Sequence, residues 1–333
     1  MKKNRIKSEI IIYHFKRQKE FNHKQLILLF YNFKKIEILS NIKMKIKFFF
    51  LIFILKLLLI SYQPYLKRKA FDVFHPHKVF IEAHRGINKK IFQNTKEAIS
   101  LSYKYNLDSF ETDTWLSQDN NLVIVHGGYM GNLTDYYNTT NSVVNSTWDN
   151  LTHYKTLKDN LSIPKLEEVM KIAKDKIFMN LEIKDPRIDL TFPYVINLIE
   201  KYDFFEQLTI SSFHHGYYNK VREYNINSKK NKKIVFGFLY GRRSDPNNYI
   251  YNSTNNTLNI YWSKITKNVC DKAHRNGMAV LAWFYMDEIE NKTIYQRLFN
   301  NGIDILCTNY PFLAKKFRYF YYKNRRQKGK YFL

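Results

Sequence analysis

From residue 79 onward, short apolar runs alternate with stretches of helical periodicity. The runs at 79–83, 109–114, 122–126, 178–182, 208–212, 234–239, 258–261, 279–284 and 303–307 are short and rich in β-branched or aromatic residues, so they read as strands. Stretches at 94–105, 165–173, 192–202, 217–224, 265–276, 293–300 and 311–319 read as helices. Gly277 and Gly302 follow two of them, where a left-handed residue is wanted. Alternation of this kind predicts βα units around a parallel sheet, an α/β fold of the TIM (β/α)8 barrel type. Nine strand candidates are one too many. The run 122–126 follows Thr114 too closely for a helical crossover, so it is expected to be antiparallel or a strand extension at the barrel mouth. Residues 128–162 are Asn/Thr-rich with little apolar periodicity and read as an insertion beside the mouth.

Polar residues gather where the apolar runs end, which in a barrel is where active sites lie. The first strand delivers His84, Arg85 and Gly86, the second Glu111 and Asp113, and the third His126. Glu111 and Asp113 are two apart and point to one side of a strand, a hard-oxygen pair suited to Ca²⁺ or Mg²⁺. Histidines near their ordinary pKa exchange protons at neutral pH, and an arginine fork suits phosphate oxygens. Together these are the parts of a metal-assisted phosphodiesterase. Glu182 ends another buried strand, where an unpartnered acid is costly. Lys184, two residues on, offers it a structural ion pair as the alternative to a metal role.

His-Arg, then Glu-x-Asp, then His, in this order and spacing, resembles the signature of the glycerophosphodiester phosphodiesterase family. The resemblance continues through NLEIKDP (180–186), SSFHH (211–215), and AHRNGMAVLAWF with NNGIDILCTNYP between 273 and 311, and so covers roughly 78–320. It implies a TIM barrel, with Glu111, Asp113 and Glu182 around one divalent metal, His84 and His126 as the acid–base pair, and Arg85 and Lys184 on the substrate phosphate. The implied substrate is a small-molecule glycerophosphodiester, cut to sn-glycerol 3-phosphate and an alcohol. A lysolipid, cut by lysophospholipase D action, is the close variant. A non-catalytic phosphate-binding barrel is the reading from another class, and the presence of all the core residues speaks against it. Trp283, Tyr240 and Asn94 are expected at the pocket. Three departures stand out: Gln93 where the family has Glu, Gly127–Gly128 after His126, and Thr308-Asn309-Tyr310-Pro311 for Thr-Asp-x-Pro. All three are expected to stay clear of the core constellation.

Composition adds an N-terminal question. The chain has 333 residues and a formal net charge of +25. The lysine excess accompanies Asn, Ile, Tyr and Phe, as an AT-rich coding sequence favours, and no nucleic-acid-binding motif goes with it. The run FFFLIFILKLLLI at 48–60, behind Met44-Lys-Ile-Lys, reads as a signal peptide or signal anchor with a positive n-region. The expected division is therefore a basic extension (1–43), the signal segment (44–62), the barrel (78–320) and a basic tail (321–333). Asn-x-Ser/Thr sequons at Asn132, Asn138, Asn145, Asn150, Asn160, Asn252, Asn255 and Asn291 accord with a glycosylated protein of the secretory pathway, secreted or membrane-anchored. Cys270 and Cys307 are too few for a disulfide framework and read as buried thiols.

Overall fold

Each apolar run becomes a strand. The computed structural model describes residues 78–128, 141–228, 232–245 and 255–327. Its strands are β1 (Phe80–Ala83), β2 (Ser109–Leu116), β3 (Leu122–Ile124), β4 (Phe178–Ile183), β5 (Leu208–Ser212), β6 (Val235–Tyr240), β7 (Thr257–Tyr261), β8 (Ala279–Trp283) and β9 (Ile305–Thr308). The order β1-β9-β8-β7-β6-β5-β4-β2, with β1 pairing back onto β2, closes eight parallel strands into a barrel. The supernumerary strand is β3, antiparallel to β2, with Thr114 opposite Ile124 and Leu116 opposite Leu122. Its turn is tight enough to need a left-handed residue, Asn120 (φ 64°).

Helices cover the outside: α1 (Lys96–Lys104), α2 (Trp148–Thr152), α3 (Leu166–Ala173), α4 (Ile188–Lys201), α5 (Gly216–Asn227), α6 (Lys267–Arg275), α7 (Lys292–Asn301) and α8 (Pro311–Gln327). Thr95, Thr266 and Asn291 cap α1, α6 and α7 by accepting from Ala98, Val269 and Ile294 amides. Gly302 (φ 94°) ends α7, and Gly277 (φ 68°) follows α6. Helix α4 starts at Ile188, ahead of the expected Phe192; Pro193 lies in its second turn, where the only backbone bond lost is the one to the Asp189 carbonyl.

Strand alternation sorts the side chains into two cores. Outward residues such as Ile81, Phe110, Leu181 and Ile210 pack under the helices. Inward ones such as Phe80, Leu239, Leu281 and Ile305 fill the barrel below the mouth. Complete burial of a side chain like Ile81 contributes about 2 kcal/mol. Helix α8 runs on to Gln327, past the expected Tyr319, because Ala314, Phe317 and Tyr321 continue a buried stripe; the rings of Phe317 and Tyr321 each lie 5.1 Å from Phe299. The Tyr322 hydroxyl also accepts the Val79 amide (3.1 Å), so the aromatic start of the basic tail is part of packed structure.

Within the expected insertion, the described residues 141–162 have more structure than their composition suggested. Val143, Leu151, Tyr154 and Ile163 bury themselves against Val123 and Val125 of the β3 arm, and Asp119 caps α2 by accepting the Trp148 amide. The described sequon asparagines, Asn145, Asn150, Asn160, Asn255 and Asn291, are exposed. Cys270 and Cys307 are buried free thiols. The expected signal segment lies outside the described residues, and among the described residues no helix is long and apolar enough to cross a membrane.

Candidate active site

The loop after β1 is built around two left-handed residues. Arg85 has φ 55° and Gly86 φ 77°, and a Cβ on Gly86 would sit 2.8 Å from the Ala98 backbone, so glycine is required there. The turn aims the Arg85 amide at Glu111 Oε2 (2.9 Å). It also brings the guanidinium over the next carboxylate, with Nε 3.2 Å from Asp113 Oδ2, while Nη1 donates to Gln93 Oε1 (2.6 Å).

Glu111 and Asp113 point inward from β2, and Glu182 stands on β4 in register with Asp113. One oxygen from each of the three lies within 4.8 Å of the others. Asn94, itself left-handed (φ 57°), grips the middle one: its Nδ2 donates to Asp113 Oδ2 (2.8 Å) and its Oδ1 accepts from Thr112 Oγ1 (2.8 Å) and the Asp113 amide (3.3 Å). Lys184 Nζ lies 2.7 Å from Glu182 Oε1 and 3.4 Å from Asp113 Oδ1. Burial alone would raise the Asp113 carboxyl, but Lys184 and Arg85 hold it below the usual carboxylate range. Burial, then the neighbouring Asp113 and Glu182, push Glu111 well up; burial lifts Glu182 too, against the pull of Lys184. Glu111 Oε1 is buried and accepts no hydrogen bond. A cluster short of positive charge, offering only hard oxygen ligands and holding an orphaned carboxylate oxygen, fits a divalent cation.

The histidines approach from two sides. His84 Nδ1 lies 3.0 Å from Asn309 Oδ1, and the amide of Asn309 is oriented by donating Nδ2–H to the Tyr285 carbonyl (2.8 Å). Its Oδ1 can therefore only accept, so Nδ1 of His84 carries the proton and Nε2, 3.8 Å from Glu111 Oε2, keeps its lone pair. Glu290 secures Asn309 in turn, accepting its amide at 2.7 Å. His126 follows β3, and its carbonyl accepts from Trp115 Nε1 (3.3 Å). Burial, with Arg85 adding to it, lowers the His84 pKa well below its ordinary value. At His126, burial and then the charges of Arg85 and Lys184 outweigh Asp113 and bring the pKa down to about 4.

His84, Arg85, Glu111, His126, Glu182 and Lys184 line one cavity of about 360 Å³ at the C-terminal mouth of the barrel, with Asp113 wholly buried beneath. Trp283 lines it as expected, whereas Tyr240 and Asn94 do not. Tyr240 faces the helices and packs on His215 (4.8 Å between rings), because Leu239, one residue earlier, takes the inward position on β6. Asn94 stands behind Asp113 as its clamp.

Two of the three family departures touch the constellation after all: Gln93 holds Arg85 and Asn309 holds His84. The sequence signal for both is their place next to motif residues, Gln93 before Asn94-Thr95 and Asn309 after Thr308. Phe213, Tyr285 and Met286 also line the cavity, unanticipated. Phe213 enters from the loop that also carries His214 and His215. His215 instead turns away, its Nε2 3.0 Å from the Leu239 carbonyl.

The model of the glycerophosphoryl diester phosphodiesterase family matches residues 84–313. A glycerophosphodiester phosphodiesterase of Caldanaerobacter subterraneus subsp. tengcongensis is 25% identical over 249 residues, covering 70% of this chain and 95% of that protein. Among solved structures, an Oleispira antarctica phosphodiesterase in complex with the product sn-glycerol-3-phosphate matches with a TM-score of 0.59 at 19% identity, covering 73% of this chain and 98% of that one. A glycerophosphodiester phosphodiesterase of Thermotoga maritima matches with a TM-score of 0.56 at 22% identity, covering 73% and 100%. Both structures share the barrel.

Proposed function

The chain belongs to the glycerophosphoryl diester phosphodiesterase family, and from that membership we propose that it hydrolyses glycerophosphodiesters to sn-glycerol 3-phosphate and an alcohol. The carrying observation is that two carboxylates, two histidines, an arginine and a lysine line one cavity at the barrel mouth, with the third carboxylate, Asp113, directly beneath them.

Arg85 and Lys184 hold the phosphodiester and orient it between the histidines. His84, with its proton fixed on Nδ1 by Asn309, takes the proton of the attacking hydroxyl on Nε2; the attacker is water, giving glycerol 3-phosphate directly, or the glycerol 2-hydroxyl, which displaces the alcohol to form a cyclic phosphate that water then opens. The substrate anion favours the protonated form of His126 against the burial and the Arg85 and Lys184 charges that lower it, and in this reading His126 passes that proton to the leaving alcohol. Glu111, Asp113 and Glu182 would hold a divalent cation of the Ca²⁺ or Mg²⁺ type, which when bound would supply Lewis-acid neutralisation of the growing phosphoryl charge. Lysophospholipase D action is the second reading, supported by exposed aromatic side chains that line the cavity: Phe213 is 44% exposed and Tyr285 39%. We place the protein in the secretory pathway, secreted or anchored at a membrane, on the support of the segment 48–60 and the sequons.

The test is product release from the full-length protein. Glycerophosphocholine should yield glycerol 3-phosphate in a chelator-sensitive reaction; lysophosphatidic acid from lysophosphatidylcholine, with glycerophosphocholine untouched, would favour the second reading. His84→Ala should lower kcat by about 10²–10⁴ on any diester. His126→Ala should cost as much on glycerophosphocholine but far less on a p-nitrophenyl diester, whose leaving group needs no proton. Equal losses from both variants on the activated diester would remove the acid role from His126.

A further inference from the structure

The cavity wall opposite the carboxylates is aromatic. Phe213, following β5, meets Trp283 of β8 edge to face (centroids 5.9 Å apart, planes at 85°), and Trp283 meets Tyr285 in the same manner (4.9 Å, 75°). Leu281 and Met286 extend the apolar surface. The corner is held rigid from behind by Glu288, whose oxygens accept from the Trp262 indole (3.1 Å), the Tyr285 amide (2.9 Å) and Arg242 (2.9 Å). Asp287 completes the rim: its exposed carboxylate lines the cavity and makes no hydrogen bond or ion pair among the described residues.

We infer that this corner is a subsite for the quaternary ammonium group of a choline-type alcohol esterified to the substrate phosphate. The assignment rests on the phosphodiesterase reading above. Ring faces attract cations, and here they already do: Lys184 Nζ lies 5.7 Å from the Phe213 centroid and the Arg242 guanidinium 5.3 Å from that of Tyr285. Both of those charges are paired, Lys184 with Glu182 and Arg242 with Glu288; Asp287 adds a negative charge at this edge, beside Lys89, whose Nζ donates to the neighbouring Met286 carbonyl (3.0 Å). A polyol would find few partners on this wall. The Trp283 indole N–H, which has no acceptor among the described residues, the Tyr285 hydroxyl and Asp287 are the polar groups it offers. A primary ammonium needs several acceptors in place of its water, whereas a trimethylammonium group needs aromatic surface and one diffuse negative charge.

The experiment compares kcat/KM of the full-length protein on glycerophosphocholine, glycerophosphoethanolamine and glycerophosphoglycerol. Glycerophosphocholine should be preferred over the neutral glycerol ester by about tenfold. Asp287→Asn and Trp283→Leu should each shrink that ratio to about threefold or less. Binding of free choline against its uncharged isostere 3,3-dimethylbutan-1-ol, followed by calorimetry, is the second arm. Choline should bind more tightly, with the advantage reduced in Asp287→Asn. Turnover of all three esters at equal efficiency, or equal binding of choline and the isostere, overturns the subsite while leaving the phosphodiesterase reading intact. Should none of the esters turn over, the hydrolytic reading fails, and the choline binding arm still decides whether the corner takes a quaternary ammonium.

Discussion

The two sides of the cavity are built on different principles. On the β1, β2 and β4 side every functional group is held by at least one charged or hydrogen-bonded partner: Asp113 alone meets Asn94, Arg85 and Lys184. On the β5 and β8 side the contacts are ring edges against ring faces, and the polar bonds lie behind the wall at Glu288. A reaction centre needs its charges fixed before substrate arrives, because each misplaced dipole must otherwise reorganise during the reaction. A surface that sorts substrates by shape and polarisability needs only a stable outline. The charged side should therefore govern kcat and the aromatic side KM.

Substitutions on each side put that division at risk most directly. Glu111→Gln removes one of the three carboxylates and leaves the Arg85 amide with a neutral acceptor, so kcat/KM should fall by about a thousandfold, together with divalent-metal binding measured by calorimetry. Phe213→Ala opens the opposite wall and should raise KM for glycerophosphocholine by about tenfold while kcat changes by less than about threefold. A Phe213 variant that loses kcat as steeply as Glu111→Gln would erase the distinction between the two sides.

What could be read from the sequence follows the same line. Charges at the ends of apolar strands are conspicuous, and their i, i+2 spacing fixes a shared face. Glu111, Asp113, Glu182, His84 and His126 were therefore legible, as were all nine strands. The aromatic side was legible only at Trp283. Phe213 points inward because of the path of the loop after β5, which no periodicity encodes, and Tyr240 was misplaced by a single step of strand alternation. Asn309 was undervalued for another reason. Its role depends on an amide orientation set by the Tyr285 carbonyl, 24 residues away in sequence. Asn309→Asp tests that role: a carboxylate beside Nδ1 favours the imidazolium, so His84 needs a higher pH to become the neutral base. The acid limb of the kcat/KM profile should move up by about one unit. An unmoved limb would detach the acid limb from His84.

The smallest expected effect on catalysis, and the cleanest on stability, lies one layer below both sides. Glu82 projects inward from β1 two residues before His84 and is completely buried. It accepts from Ser109 Oγ (3.1 Å) and Asn180 Nδ2 (3.0 Å), and Ser211 Oγ donates on to Asn180 Oδ1 (2.9 Å) at the cavity floor. Burial outweighs these hydrogen bonds and pushes its pKa up from 4.5 to about 7. Between those values the folded chain keeps a proton that the unfolded chain releases, so this group makes stability fall as pH rises from 4.5 to 7 and adds no slope above. The lowered pKa values of His84 and His126 act in the opposite sense, stability rising with pH toward the ordinary histidine value of 6.5, so the wild-type curve alone cannot separate the contributions. Comparison with Glu82→Gln can, because the histidine contributions cancel in the difference. Urea unfolding at pH 4.5 and 7.5 should show the variant gaining on the wild type at the higher pH, by on the order of 3 kcal/mol. Parallel curves would mean that Glu82 ionises as readily in the barrel as in the unfolded chain, and that the floor of the cavity carries a charge.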